Sequence, residues 1–438
     1  MLGYYLGLAL RSLRRTPVLT GLMVLAIGLG IGASMTMLTV LHVMSGDPLP
    51  QRSAHLYRPY LDPLPLKFST VAIAADPRNN LTWPDAMALM KAQRGLRQAA
   101  MSGGSLLVWP QRTDLHPFYV DGHYTTPDFF AMFGVPFVAG SGWTDAEEAA
   151  NADVVVLVQS FAQKLFGNAN AIGRRVRLGD NDYRVVGVAQ DWAPAPMFYA
   201  EDDASQQYSD GDKFFLPLSV AVERKLSRNG NVSGWGQDGA PDKFRDAQTS
   251  WLQFWVQLDT AAQARAYRQF LIDYSAEQKV LGRFERPAAN AKLFSLMGWL
   301  RHMNLVPDDV RMQFWLAIGF LGVCMLNIVA LLLAKFLRRS GEISVRRALG
   351  ATRRDIFVQF GSESALIGGI GGLLGLLIAE FGLWSVRWRP DAYAHLAHMD
   401  LPMLCGTVVL AVMVSILAGL LPAWRACGVA PALQLKTL

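Results

Sequence analysis

Residues 334–361 read AKFLRRSGEISVRRALGATRRDIFVQFG. Lys335, Arg338, Arg339, Arg346, Arg347, Arg353 and Arg354 give seven positive charges against Glu342 and Asp355, and apolar stretches flank the segment on both sides. A basic run beside membrane spans stays in the cytoplasm, so it fixes the topology. Its pattern predicts two short helices. The first runs through Glu342, Ile343, Ser344, Val345, Arg346, Arg347, Ala348 and Leu349 and stops at Gly350, a usual C-terminal cap. After Ala351, the spacing of Thr352 and Asp355 around Arg353 and Arg354 matches a capping box opening the second helix through Ile356. Ile343, Leu349, Ile356 and Phe357 place apolar knobs among the arginines. Such an element, joined stiffly to two spans, suits a docking role that passes force from a cytoplasmic partner into the membrane. The alternative is a basic surface helix bound to membrane lipid headgroups.

Working outward, four apolar stretches each approach the roughly 20 residues that a span needs. They are Val18–Met44, Phe314–Leu333, Ala365–Trp384 and Met403–Leu421. The first exceeds a signal peptide's apolar core and is followed by no small-residue cleavage site, so it reads as a retained anchor. The expected fold class is an α-helical membrane protein with four transmembrane helices plus a large mixed α/β periplasmic domain inserted between helices 1 and 2. The division is 1–17 cytoplasmic amphipathic helix, 18–44 span, 45–313 external domain of two subdomains plus stalk, and 314–333 span. It continues with 334–364 cytoplasmic segment, 365–384 span, 385–402 short outer loop, 403–421 span and 422–438 cytoplasmic tail.

Charge supports that orientation. The chain has 41 Lys and Arg against 35 Asp and Glu, net +6, with mean hydropathy +0.21. Arg11, Arg14 and Arg15 precede the first span, and Arg425 and Lys436 follow the last, whereas 45–313 carries 27 basic and 29 acidic residues. The excess is a topology signature, not the basic face of a nucleic-acid-binding domain. Both termini are expected inside. The three cysteines, Cys324, Cys405 and Cys427, lie outside 45–313, so that domain is expected to fold without disulfides.

Within it, Thr82 is placed to cap a helix from Trp83 to about Arg94. Residues 153–158 read as a buried strand, and Ser160–Phe166 as a helix ended by Gly167. Arg174–Leu178 and Tyr183–Val188 read as a hairpin about Gly179. Trp251–Leu258 reads as a strand, followed by a helix capped at Asp259-Thr260 and running to about Tyr274. Residues 291–311 read as a stalk, and 201–212 and 229–239 as loops.

The cytoplasmic stretch Glu342–Ile356 resembles the coupling segment of MacB/FtsX-type (type VII) ABC permeases. The resemblance continues through Glu363 and Gly368–Gly375 and to the end in Leu421–Ala426 and Ala430–Leu433. The outer segment is similar to the MacB-like periplasmic core domain in His123–Phe130, Phe133–Pro136, Ala139-Gly140, Val154–Phe166, Ala171–Gly173 and Val185–Val188. It departs from that pattern at Ser141-Gly142-Trp143, and the tail ends Lys436-Thr437-Leu438 where the family has an arginine and an acidic residue.

This resemblance implies a permease that dimerises, as a homo- or heterodimer, and is driven by ATPases beneath it. The sequence holds no G-x-x-x-x-G-K-S/T phosphate loop. The ATPase, with its ATP and Mg, is therefore expected on a separate polypeptide, with no catalytic, cofactor or metal residue in this chain. Glu342, Ile343, Val345, Arg346, Arg347, Ala348, Leu349, Gly350, Ala351, Thr352, Arg354, Asp355 and Ile356 are the expected ATPase-coupling residues. A periplasmic adaptor and an outer-membrane channel are further implied partners for efflux or extraction. An FtsX-like transducer that activates a cell-wall hydrolase, a lipoprotein-releasing permease and an ATPase-free membrane sensor are the alternatives.

Other features have ordinary packing as their alternative. Gly28 and Gly32, Gly368 and Gly372, and Gly371 and Gly375 are spaced for close helix contact. Glu363, Glu380 and His42 are ionisable groups at or in spans. His395 and His398 have helical metal-ligand spacing without a further pair. Trp109, Trp143, Trp192, Trp235, Trp251 and Trp255 suit a core more often than a ligand site.

Overall fold

The computed structural model describes residues 11–13, 15–67, 80–199, 207–235, 244–306, 308–338, 349–388, 398–399 and 401–428. They fall into two compact units, Gly46–Leu305 and the remainder.

Local signals set the elements of Gly46–Leu305. Thr82 accepts the Asp85 amide and opens the helix Trp83–Ala92. Thr260 and Gln263 close a full capping box at the helix Ala261–Val280, which continues well past Tyr274. The valine run forms a fully buried strand, Val154–Val158, and the helix after it, Gln159–Phe166, ends at Gly167 with φ +66°. That angle suits a residue without a Cβ.

The strands are β1 Leu56–Tyr60, β2 Leu81–Thr82, β3 Arg97–Trp109, β4 Phe118–Thr125, β5 Phe137–Gly140 and β6 Val154–Val158. They continue as β7 Arg175–Leu178, β8 Asn181–Ala189, β9 Phe214–Pro217, β10 Ser233–Gly234, β11 Thr249–Gln257 and β12 Lys292–Ser295. Nine run in the order β12-β1-β11-β3-β4-β9-β6-β8-β5, with β2 and β10 on β11 and β7 bridging β3 and β8. The expected hairpin is present as β7–β8, in register from Arg175 opposite Arg184 to Leu178 opposite Asn181. The sheet is mixed: β4–β9 and β6–β8 are parallel.

Two expectations are corrected. A single sheet with one continuous core replaces the two subdomains, because β3 pairs with β11, β4 and β7 and leaves no break. Residues 292–295 are not stalk but an edge strand, antiparallel to β1 from Tyr57–Ser295 to Tyr60–Lys292. Trp143, Trp251 and Trp255 are buried in the core, with Phe129, Phe133 and Phe215.

The second unit is built on four long helices: α1 Pro17–Ser45, α2 Asp308–Leu337, α3 Arg353–Arg387 and α4 Leu401–Gly428. The first three are long and apolar enough to cross a membrane; in α4 the apolar part is Met403–Gly419. Among the described residues, α1 and α4 each pack along both α2 and α3, while α2 and α3 do not pack along each other.

Candidate functional site

The basic segment leaves α2 and re-enters α3, and the structure fixes its second half. Thr352 Oγ1 accepts the Asp355 amide at 3.2 Å, and Asp355 Oδ2 accepts the Thr352 amide at 3.0 Å. The capping box expected at α3 is therefore formed, and it satisfies two amides that a helix start otherwise leaves open. Gly350 sits at φ +102° with open space around it. Leu349 is 83% exposed and Phe357 remains partly exposed. Ala351 is half-buried and Arg354 exposed. Ile356, one of the apolar knobs among the arginines, is buried with Phe360 in the core of the helical unit. Glu342, Ile343, Val345, Arg346, Arg347 and Ala348 lie outside the described residues.

A buried polar group at this end links three helical segments. Lys335 of α2 and Glu363 of α3 form an ion pair, and both are almost wholly enclosed. Ser12, which is also buried, donates to Glu363 Oε1 at 2.5 Å. At the next residue of α3, Ser415 of α4 donates to the Ser364 carbonyl at 2.6 Å. The sequence marks Glu363 as an ionisable residue near a span and Lys335 as one of seven charges in the basic segment, but it gives no signal that the two pair and none for Ser12. A single lysine at a helix end carries no trace of a carboxylate 28 positions on.

The glycines bring the helices together. A Cβ at Gly28 would lie 2.8 Å from Leu374, and one at Gly371 2.6 Å from Ile27, so α1 and α3 interlock. Gly32 and Gly375 extend that seam. On the other face of α3, Gly368 and Gly372 meet Ser415 and Ala411 of α4 at 2.6 and 2.7 Å. All six therefore serve contacts within one chain. Glu380 pairs with Arg387 at 3.0 Å. Of the histidine pair, His398 contacts Arg387 and His395 lies outside the described residues. Among the described residues no group of three His, Cys, Asp or Glu is placed to hold a metal.

Gly46–Leu305 contains a cavity of about 440 Å³ lined by Tyr119, Asp121, His123, Asp210, Asp212 and Lys213, among others. In its wall His123 Nδ1 meets Asp212 Oδ1 at 2.8 Å, and Tyr199 donates to Asp212 Oδ2 at 3.0 Å. Burial, then the Asp212 charge, pushes the Tyr199 phenol well up, so it stays a donor. The sequence gives no sign of this trio, whose members come from β4 and from the loop before β9.

Comparison with known proteins places both units. The chain matches the MacB-like periplasmic core domain over residues 20–272 and the FtsX-like permease C-terminal region over 314–431. It is 26% identical over 362 residues to the pyoverdine export ATP-binding/permease protein PvdT of Pseudomonas entomophila, covering 82% of this chain and 49% of that protein. It is 23% identical to the uncharacterized ABC transporter permease YvrN of Bacillus subtilis, covering 69% of this chain and 67% of that protein. The periplasmic region of MacB from Actinobacillus actinomycetemcomitans aligns with TM-score 0.37 and 14% identity over 57% of this chain and 92% of that one. The chain spans about half the length of the curated ATP-binding/permease relatives it matches. With a MacB-like core domain and an FtsX-like permease region on one polypeptide, the chain belongs to the MacB/FtsX-type ABC permease family.

Proposed function

We propose that this chain is the permease subunit of an ABC complex in a bacterial inner membrane, driven by an ATPase on a separate polypeptide. It spans the membrane four times with both termini in the cytoplasm, and it presents Gly46–Leu305 to the periplasm. The observation that carries this reading is the position of the basic segment. It joins two apolar helices, and at its end the Thr352–Asp355 capping box fixes the start of α3 while Leu349 stands exposed. A cytoplasmic ATPase docked on Glu342–Asp355 would thus act on α3 through a rigid start rather than a frayed one.

The ATPase would supply ATP hydrolysis, and this chain would convert its stroke into motion of the outer domain. A second permease subunit completes the membrane part. The result is efflux, or extraction of a substrate from the periplasm or outer leaflet, with an adaptor and outer-membrane channel as further partners. YvrN, which carries the permease name alone, supports an arrangement with the ATPase separate.

Purification from native membranes in mild detergent tests this. The expected result is a stoichiometric soluble ATPase, released by charge reversal at Arg346, Arg347 and Arg354. Full ATPase retention in that triple variant would sink the docking assignment. A co-purified cell-wall hydrolase in place of an adaptor would turn the reading toward a transducer.

A further inference from the structure

Lys335 and Glu363 stand near the two ends of the segment that leaves α2 and returns in α3, and inside the helical unit they meet. Among the described residues α2 and α3 do not pack along each other, since α1 and α4 lie between them. Their direct connection at this end is therefore made by side chains. Lys335 of α2 reaches Glu363 of α3, and Ser12 from the segment before α1 donates to the same carboxylate oxygen. At this level α4 presents Gly419, where a Cβ would stand 2.3 Å from Ser364 Oγ and 3.7 Å from Leu332 Cδ1. The gap left by that missing side chain lets α4 come close to the residues next to the pair. Exposures of 1% for Lys335, 0% for Glu363 and 5% for Ser12 exclude solvent.

Stability alone gives no reason for such a pair. Apolar side chains of similar volume hold a buried site as well or better. The pair differs from them in direction: opposite charges in a medium of low dielectric resist being drawn apart, whereas packed helices shear past one another by small steps.

We propose that Lys335, Glu363 and Ser12 form the joint through which the basic segment moves the membrane helices. The pair closes the base of the segment, so that a push on it displaces α2 and α3 together instead of splaying them. Ser12 ties the start of α1 to the same point. These are positioning residues, and the inference rests on the ATPase-driven role proposed above.

The test compares four purified proteins, each isolated with its associated ATPase and placed in lipid nanodiscs. They are the parent, Lys335→Met with Glu363→Met, the charge swap Lys335→Glu with Glu363→Lys, and the milder Glu363→Gln. Bound ATPase, ATP turnover and thermal midpoint are measured first. Hydrogen–deuterium exchange across 46–305 is then compared without nucleotide and with ATP and vanadate.

The apolar pair is expected to keep its midpoint and its ATPase while losing the nucleotide-dependent change in exchange. The swap is expected to recover that change, and Glu363→Gln to lose part of it. If the apolar pair transmits at the parental level, the ion pair is only structural and the inference is overturned. Should the apolar pair fail to fold, parental transmission in Glu363→Gln overturns it equally. If the parent itself retains no ATPase, the failure shows in the unsubstituted protein and removes the proposed function along with the joint.

Discussion

Gly32 of α1 lies so close to Ile378 of α3 that a Cβ on the glycine would stand 2.6 Å from Ile378 Cγ2. In a bilayer the apolar effect gives helices little reason to associate, and close van der Waals contact becomes the main attraction. The seam of Gly28, Gly32, Gly371 and Gly375 is therefore what fixes α1 against α3. Gly32→Ala is expected to destabilise the helical unit by about 1–3 kcal/mol, the usual cost of overpacking. Gly369→Ala, on the facing helix α3 with nothing within 4 Å, is the control and should be neutral. Thermal unfolding of both variants in detergent checks the contrast, and equal midpoints would refute the assignment.

The start of α3 depends on one side chain. Thr352→Ala removes the acceptor for the Asp355 amide and one partner of its carboxylate. A cost of about 1 kcal/mol is expected, typical for loss of an N-cap. Faster amide exchange should appear at 353–356 and stop within the first turn. Unchanged exchange there would mean that the cap does not hold the helix start.

The outer unit should fail in alkali. Burial pushes the Tyr183 phenol up to about 12 and those of Tyr124, Tyr208, Tyr267 and Tyr274 further, as it does for Tyr199. The fold accepts these phenols only when neutral. Their contribution is complete below the ordinary value of about 10 and is lost as pH rises through the folded values. Absorbance at the tyrosinate band should therefore rise in one cooperative step together with loss of structure. A smooth titration of all tyrosines near the ordinary value, with the fold intact, would contradict this.

Asp85 is fully buried and accepts from Thr82 Oγ1 at 2.5 Å, Tyr274 OH at 2.8 Å and Arg283 Nη2 at 2.8 Å. It joins the helix Trp83–Ala92 to the long helix Ala261–Val280. Asp85→Ala leaves the arginine without its partner. The expected loss is about 3 kcal/mol, at the low end for breaking a buried pair because Arg283 keeps some contact with water. Denaturant unfolding gives the value; a change under about 0.5 kcal/mol, the scale of an ordinary surface substitution, would show that the network carries no load.

Much of this was legible because the signals are local. Thr82, Thr260 and Thr352 announce helix starts to residues three positions on, and the valine run 154–158 carries its own strand pattern. Short elements without a period of their own were not legible. β12 has four residues and is a strand only because β1, more than 230 positions earlier, offers it an edge. The burial of Lys335 and Ile356 is not legible for a related reason: each sits in a basic amphipathic context whose inward side is set by neighbours on other helices.

The apolar runs, the basic segment between two of them, the helix caps and the family pattern are all written in the local sequence. Each of these is fixed by hydrophobicity, charge and backbone preference within a few residues. Tertiary packing alone unites residues 46–305 in one sheet, interlocks α3 with α1 and α4 through six glycines, and brings Lys335 to Glu363 beside Ser12. Burial and pairing of a side chain depend on which distant segment the fold brings against it, and no local spacing records that.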